Sequence, residues 1–166
     1  MSTFVSVGNG TQPFTRLLDA VERLAPTLPA PVVVQHGSTP FHPIVCEARP
    51  FVDMAEFERR IAEAKLVILH AGAGSLIHAI RAGRIPVVMP RRRRYDEVVD
   101  DHQVELASEL ERAGKIVVAM EPSELEAAIA RALAEQARPR APDTPSTMLQ
   151  LVASTLEGYA ANLRRP

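Results

Sequence analysis

The sequence has only one cysteine, Cys46, so no disulfide can close within the chain. That suits a reducing compartment such as the cytosol. No apolar run approaches the roughly 20 residues that a helix needs to span a bilayer. The opening stretch, MSTFVSVGNG, lacks the basic region and long apolar segment of a signal peptide. Any membrane contact is therefore expected to be peripheral or through a partner. Net charge is scarce as well: 19 Lys and Arg against 20 Asp and Glu leave −1, which argues against a nucleic-acid binder. Common catalytic signatures are missing too. There is no H-E-x-x-H, no Cys/His cluster and no G-x-S-x-G. Gly8-x-Gly10 has Pro13 where a dinucleotide fingerprint needs its third glycine, and Gly72-x-Gly74 has Ile77 there. Gly114-Lys115 is followed by Ile116 and lacks the first glycine of a Walker A loop. Neither a dehydrogenase nor a P-loop NTPase is supported.

What is present reads as one globular domain: 166 residues, 46% of them hydrophobic and 23% charged. Short apolar runs alternate with helical periodicity along most of the chain. TFVSV (3–7) predicts a first strand and leads into the turn GNGT. A helix over 13–24 follows, with Phe14, Leu17, Leu18, Val21 and Leu24 on one face. PVVVQHG (31–37) predicts a second strand, and ARPFV (48–52) a third. Asp53 is placed to cap the helix MAEFERRIAEA. LVIL and IPVVMP are further strands, separated by a helix that starts near Gly74–Ser75 and stops at Gly83. After a loop, VVDDHQVELASELERAG predicts a helix ending at Gly114, and KIVVAM another strand. Ser123 with Glu126 forms the pattern of a capping box for the helix that follows. The expected fold is α/β, a Rossmann-like, mostly parallel sheet of about six strands. It occupies 1–136, followed by a Pro-rich linker over 137–147 and an amphipathic helix over 148–166. Leu149, Val152, Leu156, Tyr159 and Leu163 stripe that last segment, as a docking surface for its own domain or for a partner.

In such sheets ligands bind beyond the carboxyl ends of the strands. Three turns at that edge carry small or polar residues: GNGT, QHGST and HAGAGS. The last opens a helix, whose free N–H groups and positive dipole end suit an anion, most often a phosphate.

The combination HAGAGSLIHAIRAGRIPVVMP, then DDHQVELASELERAG, resembles the donor-binding, C-terminal half of glycosyltransferase family 28. FVSVGNGTQPFTRLL is similar to the start of its small split members. These are the PssE-type exopolysaccharide transferases and the catalytic subunit of the dolichol-pathway UDP-N-acetylglucosamine transferase. PRRRRYDEVVDDHQ resembles the PssE-type basic loop most closely. The resemblance implies half of a GT-B fold and an inverting enzyme that needs no metal or cofactor beyond its UDP-sugar donor. It also implies a membrane-associated, PssD-like subunit that binds a polyprenyl-diphosphate-linked acceptor and holds the chain at the inner, cytoplasmic face of the membrane. Without that partner the orphan interface is expected to pair with itself.

Residue by residue, Gly72, Gly74 and Ser75 match the family's diphosphate turn, and His70 a position near the phosphate. Gly8, Asn9, Gly10 and Thr11 match the loop beside the donor diphosphate and interdomain cleft. Gln103, with His102, matches the motif whose Gln binds the donor sugar hydroxyls. His78 departs from the pattern, because many members carry there a Glu that holds the ribose hydroxyls. Arg91, Arg92, Arg93 and Arg94 suit an acidic donor such as UDP-glucuronate or an acceptor pyrophosphate. A solvated loop neutralised by Asp96, Glu97, Asp100 and Asp101 is the plainer alternative. Glu47, Asp53 and His36 form no recognisable catalytic arrangement, so the base is expected on the partner. Two rival functions stay open: a non-catalytic nucleotide-sugar sensor or scaffold, and a UDP-sugar epimerase.

Overall fold

A computed structural model describes residues 2–138. Six strands form one parallel sheet: β1 (Thr3–Ser6), β2 (Val32–Gln35), β3 (Glu47–Arg49), β4 (Leu66–His70), β5 (Val87–Met89) and β6 (Val117–Val118). Their order is β3-β2-β1-β4-β5-β6, every neighbouring pair parallel. Five helices cross between strands or close the fold: α1 (Thr15–Leu24), α2 (Met54–Glu63), α3 (Ala73–Arg81), α4 (His102–Arg112) and α5 (Leu125–Gln136). The winding direction reverses between β1 and β4, so the loops after these two strands diverge and leave a crevice at the carboxyl edge.

Alternation along the central strands explains their unbroken apolar sequence. In β1, Phe4 joins a core with Phe57, Ile61, Leu76, Leu106 and Leu110 under α2, α3 and α4. Val5 joins the opposite core with Leu17, Leu18, Val21, Leu125 and Ile129 under α1 and α5. Both faces are covered, so a strand has no solvent side to keep polar.

The elements follow the sequence with local differences. Asp53 caps α2, its carboxylate accepting from Glu56 N at 2.8 Å. The third strand is Glu47–Arg49, shorter and earlier than expected, as an exposed edge strand tolerates. α3 starts at Ala73, with Gly72 in the cap position. α4 starts only at His102, with Asp101 in the cap position but making no side-chain cap bond. Asp101 accepts from Arg93 N and Asp100 from His102 N, both at 3.1 Å. The expected capping box does not form. Pro122–Glu124 make a 3-10 turn instead, and Glu124 accepts from Met120 N at 2.8 Å. The amphipathic segment 148–166 and nearly all of the linker lie outside the described residues. Among the described residues no helix is long and apolar enough to cross a membrane.

One crossover, residues 36–46 between β2 and β3, contains no helix. Glu22 of α1 replaces it as the organiser. Its carboxylate accepts from the N–H groups of Ile44, Val45 and Cys46 at 2.6, 2.8 and 3.2 Å. Burial pushes the Glu22 carboxyl up, but the bonds from Cys46 and these backbone groups outweigh it and hold its pKa below the usual value. The Cys46 thiol is pushed up to about 12, by burial and then by the adjacent Glu22. A carboxylate with a lowered folded pKa stabilises above its unfolded value, and that contribution is lost as pH falls through the folded one. Glu22→Ala is therefore expected to cost about 1–2 kcal/mol at neutral pH, three backbone donors losing their acceptor. Chemical denaturation of both proteins between about pH 7 and pH 3 should show the gap closing at the acid end.

Candidate functional site

The crevice at the β1/β4 reversal is a cleft of about 280 Å³, lined on its floor by Ser6, Gly8, Asn9, Gln35 and His70. Gly72, Ala73, Gly74, Ser75 and, one turn further along α3, His78 line one side, and Val52, Met54 and Phe57 the other.

The floor is a chain of polar groups at the strand ends. Ser6 Oγ accepts from Gly8 N at 3.2 Å and donates to Gln35 Oε1 at 3.3 Å. Gln35 Nε2 in turn donates to Asn9 Oδ1 at 3.3 Å. That leaves the Asn9 amide N–H groups as donors at the mouth of the cleft. Gly8 turns the chain with φ +74°, a conformation glycine adopts without steric cost.

His70 ends β4 and is wedged between two glycines. A Cβ on Gly8 would stand 2.4 Å from its ring, and one on Gly72 only 2.1 Å from Nε2. Both glycines are bare because the imidazole occupies the space. Gly74 differs, since nothing lies within 4 Å of where its Cβ would be, and its bareness leaves room in the cleft. Burial, then the nearby Arg91 charge, brings His70 down to about 4, with the Ser6 backbone offsetting in part. Its Nδ1 is buried without a hydrogen-bond partner among the described residues. At neutral pH His70 is thus a neutral, hydrogen-bonding group.

Beyond it α3 begins. Its cap residue, Gly72, is extended and has no side chain to occupy the first N–H groups. The amides of Ala73, Gly74 and Ser75 face the carboxyl edge with no intrahelical acceptor. Together with the Ser75 hydroxyl they make a cradle of donors for a phosphate-sized anion.

The remaining residues singled out from the sequence separate into two groups. Gly10 and Thr11 stand at the exposed tip of the β1–α1 loop, and Thr11 donates to Gln12 Oε1 at 3.4 Å. The basic loop, His102 and Gln103 gather beyond β5, beside the cleft, and do not line it. Arg91 is no solvated cation, being 3% exposed. Its guanidinium donates to the carbonyls of Gln12 (2.7 Å), Val7 (3.0 Å) and Glu97 (3.1 Å) and stacks 4.8 Å above the Phe14 ring. Burial lowers its pKa and Glu97 opposes that. Gln103 Oε1 accepts from Arg91 N at 3.1 Å. Arg92 and Arg94 share the carboxylate of Glu121, which Tyr95 also meets. Arg93 is exposed and makes no ion pair among the described residues. Arg16, which the sequence did not point to, binds Glu97 through two bonds of 2.9 Å and closes this network from α1.

His36, Glu47 and Asp53 are absent from the cleft lining. His36 faces the Thr39 carbonyl at 2.8 Å, and Asp53 is spent as a cap. Among the described residues no cluster of His, Cys, Asp and Glu is arranged to hold a metal ion. Gln35 was legible as the polar end of an apolar strand. Met54 and Phe57 carried no signal separating a cleft wall from a core face.

Comparison with known proteins agrees with this geometry. The model of the glycosyltransferase family 28 C-terminal domain matches residues 4–155. The UDP-N-acetylglucosamine transferase subunit ALG13 of Yarrowia lipolytica is 41% identical over 58 residues, 35% of this chain and 28% of that protein. Its namesake from Cryptococcus neoformans var. neoformans is 41% identical over 66 residues, 39% of this chain and 31% of the relative. The chain thus spans under a third of the length of either relative. In fold it is similar to the kitacinnamycin glycotransferase, with TM-score 0.61 and 20% identity over 98% of this chain and 38% of that one. The architecture is one Rossmann-like half of a GT-B fold.

Two outcomes are expected from the His70 wedge. Gly72→Ala should cost about 1–3 kcal/mol by overpacking, and much of that cost should vanish in a His70→Ala background, as a double-mutant cycle in denaturant would measure. An imidazole neutral down to about 4 in the folded chain, but protonated near 6.5 when unfolded, destabilises the fold as pH drops between those values. His70→Asn should flatten that slope in the same titration.

Proposed function

The chain belongs to glycosyltransferase family 28, and from that premise we propose that it is the donor-binding subunit of a two-component inverting glycosyltransferase. The observation that carries this reading is the cleft at the β1/β4 reversal, where the start of α3 offers uncommitted N–H groups beside a neutral His70. A UDP-sugar fits it by chemistry, with its diphosphate in the donor cradle. As an acceptor hydroxyl bonds to the anomeric carbon from the opposite face, the bond from that carbon to the diphosphate oxygen breaks. The electron pair leaves with UDP, and the amides of Ala73, Gly74 and Ser75 stabilise the charge gained. The hydroxyl's proton passes to a base on the partner, a membrane-associated, PssD-like subunit that carries the polyprenyl-diphosphate-linked acceptor at the inner face of the membrane. A surface polysaccharide is the product this reading assigns.

The basic loop supports an acidic donor sugar in this reading. Arg92 and Arg94 share the one carboxylate of Glu121 and Arg91 is spent on carbonyls, which leaves Arg93, without an ion pair among the described residues, for an external carboxylate. A uronate such as glucuronate is the matching donor.

Calorimetric titration of the full chain with UDP, UDP-glucose, UDP-glucuronate and UDP-N-acetylglucosamine tests both parts. UDP should bind, UDP-glucuronate should bind about tenfold tighter than UDP-glucose, and Arg93→Ala should erase that preference while leaving UDP unchanged. Equal affinities would overturn the glucuronate assignment alone. Absence of UDP binding, both alone and with the co-expressed partner, would sink the donor-subunit reading.

A further inference from the structure

The two walls of the cleft differ in hydrogen-bonding character. The wall at the start of α3 presents donors, as does Asn9 on the floor. The opposite wall, Val52, Met54 and Phe57, is apolar. His78 lies one helical turn beyond Gly74 on the same side of α3, about 6 Å along the helix from the donor cradle. A ligand whose anionic group sits in the cradle would reach His78 with a neutral, polar part of itself.

The imidazole of His78 is held from behind by α2. Glu58 Oε1 lies 3.1 Å from Nδ1, and the Phe57 ring meets the imidazole edge-to-face, with centroids 6.0 Å apart. Phe57 is itself fixed against Phe4 at 5.6 Å. A carboxylate oxygen at this distance would repel a lone pair on Nδ1, so in the neutral imidazole the proton resides there. The lone pair then belongs to Nε2, the nitrogen left for the cleft.

We propose that Glu58 is a positioning residue that fixes the tautomer of His78, so that Nε2 accepts a hydrogen bond from a hydroxyl of the bound nucleotide sugar. The inference rests on the donor-binding reading above and adds to it the polar group that reads the ligand's neutral part. Glu58 never touches the ligand. It acts by denying Nε2 the proton that would turn an acceptor into a donor. One turn of helix from the diphosphate is the distance at which a ribose hydroxyl stands; a sugar hydroxyl has the same chemistry, and the test separates the two.

The full chain is titrated at about pH 8 with UDP, 2′-deoxy-UDP, 3′-deoxy-UDP and UDP-glucose. For the wild type, removing the hydroxyl that His78 reads should weaken binding about tenfold. Glu58→Ala should weaken UDP by a similar factor and leave the affinity for that deoxy analogue unchanged. His78→Gln places an amide oxygen near the Nε2 position without a tautomer to choose, so it should keep the discrimination whether or not Glu58 is present. An effect of Glu58→Ala seen with UDP-glucose but not with UDP would assign the hydroxyl to the sugar. Equal weakening of UDP and both analogues, or no weakening of any ligand, would overturn the role of Glu58. Nitrogen-15 NMR of the histidine side chains gives a readout without ligand. His78 should carry its proton on Nδ1 in the wild type and become a mixture in Glu58→Ala, and a wild-type proton on Nε2 would overturn the proposal. If no UDP ligand binds the wild type, the donor reading fails, and the NMR result still decides whether Glu58 sets the tautomer.

Discussion

A guanidinium buried to 3% exposure is tolerable only if its desolvation is offset, and Arg91 meets that demand largely with backbone. Taking a cation from water into protein costs several kcal/mol even after relaxation. Three carbonyls, an aromatic face and the Glu97 carboxylate nearby offset it. The same contacts fix the chain on both sides. Val7 and Gln12 bracket the loop after β1, while the Arg91 amide is tied to Gln103 at the start of α4. Glu97 cannot move without disturbing Arg16, which also holds the carbonyls of Pro90 and Met120. The loops after β1, β5 and β6 therefore share one electrostatic knot, and the cleft floor is built against it.

That knot also sets the character of the cleft. Arg91 lies close enough to His70 to disfavour a second positive charge, and burial disfavours it further. In the proposed reading the site therefore attracts an anion through oriented N–H groups at a helix start and not through a formal cation within it. Dipolar donors are already aligned and lose little on ligand departure, whereas a fully charged contact would hold a product diphosphate tightly. The glycines around His70 serve this arrangement directly: with a Cβ on either Gly8 or Gly72, the imidazole could not occupy the space between the two turns.

Much of the fold was legible because parallel strands covered on both faces leave an unmistakable trace. VVV, LVIL and VVM are apolar throughout, and glycine ends several of the turns between them. Boundaries shifted at two helix starts. Ser123 and Glu126 looked like capping partners, but Pro122–Glu124 form a 3-10 turn and α5 begins only at Leu125. The helix expected from Val98 begins only at His102, after a loop in which the Asp101 carboxylate accepts from Arg93 N. Seven of the residues singled out from the sequence, Gly8, Asn9, His70, Gly72, Gly74, Ser75 and His78, line one cleft. The four consecutive arginines were not separable in sequence. One is interior, two share a carboxylate 27 or more positions away, and one is exposed, and only the folded positions of Phe14, Glu97 and Glu121 determine which is which.

A cleft whose hydrogen-bond donors gather at the start of α3 is coherent for the leaving-group half of an in-line displacement. In the proposed reaction the nucleophile and the leaving group approach the anomeric carbon from opposite faces, so the two kinds of assistance are needed on opposite sides and can come from different chains. Stabilising a departing diphosphate requires rigid donors, which a helix start on a parallel sheet supplies without side-chain chemistry. Activating a hydroxyl requires one titratable group within hydrogen-bond reach of an acceptor, and in the proposed reaction that acceptor is held by the partner. His36, Glu47 and Asp53 stand away from the cleft, with His36 and Asp53 committed to the backbone. His70 stays neutral, but wedged between Gly8 and Gly72 it is placed on the leaving-group side. The division of labour follows from which side of the reacting carbon each group can reach.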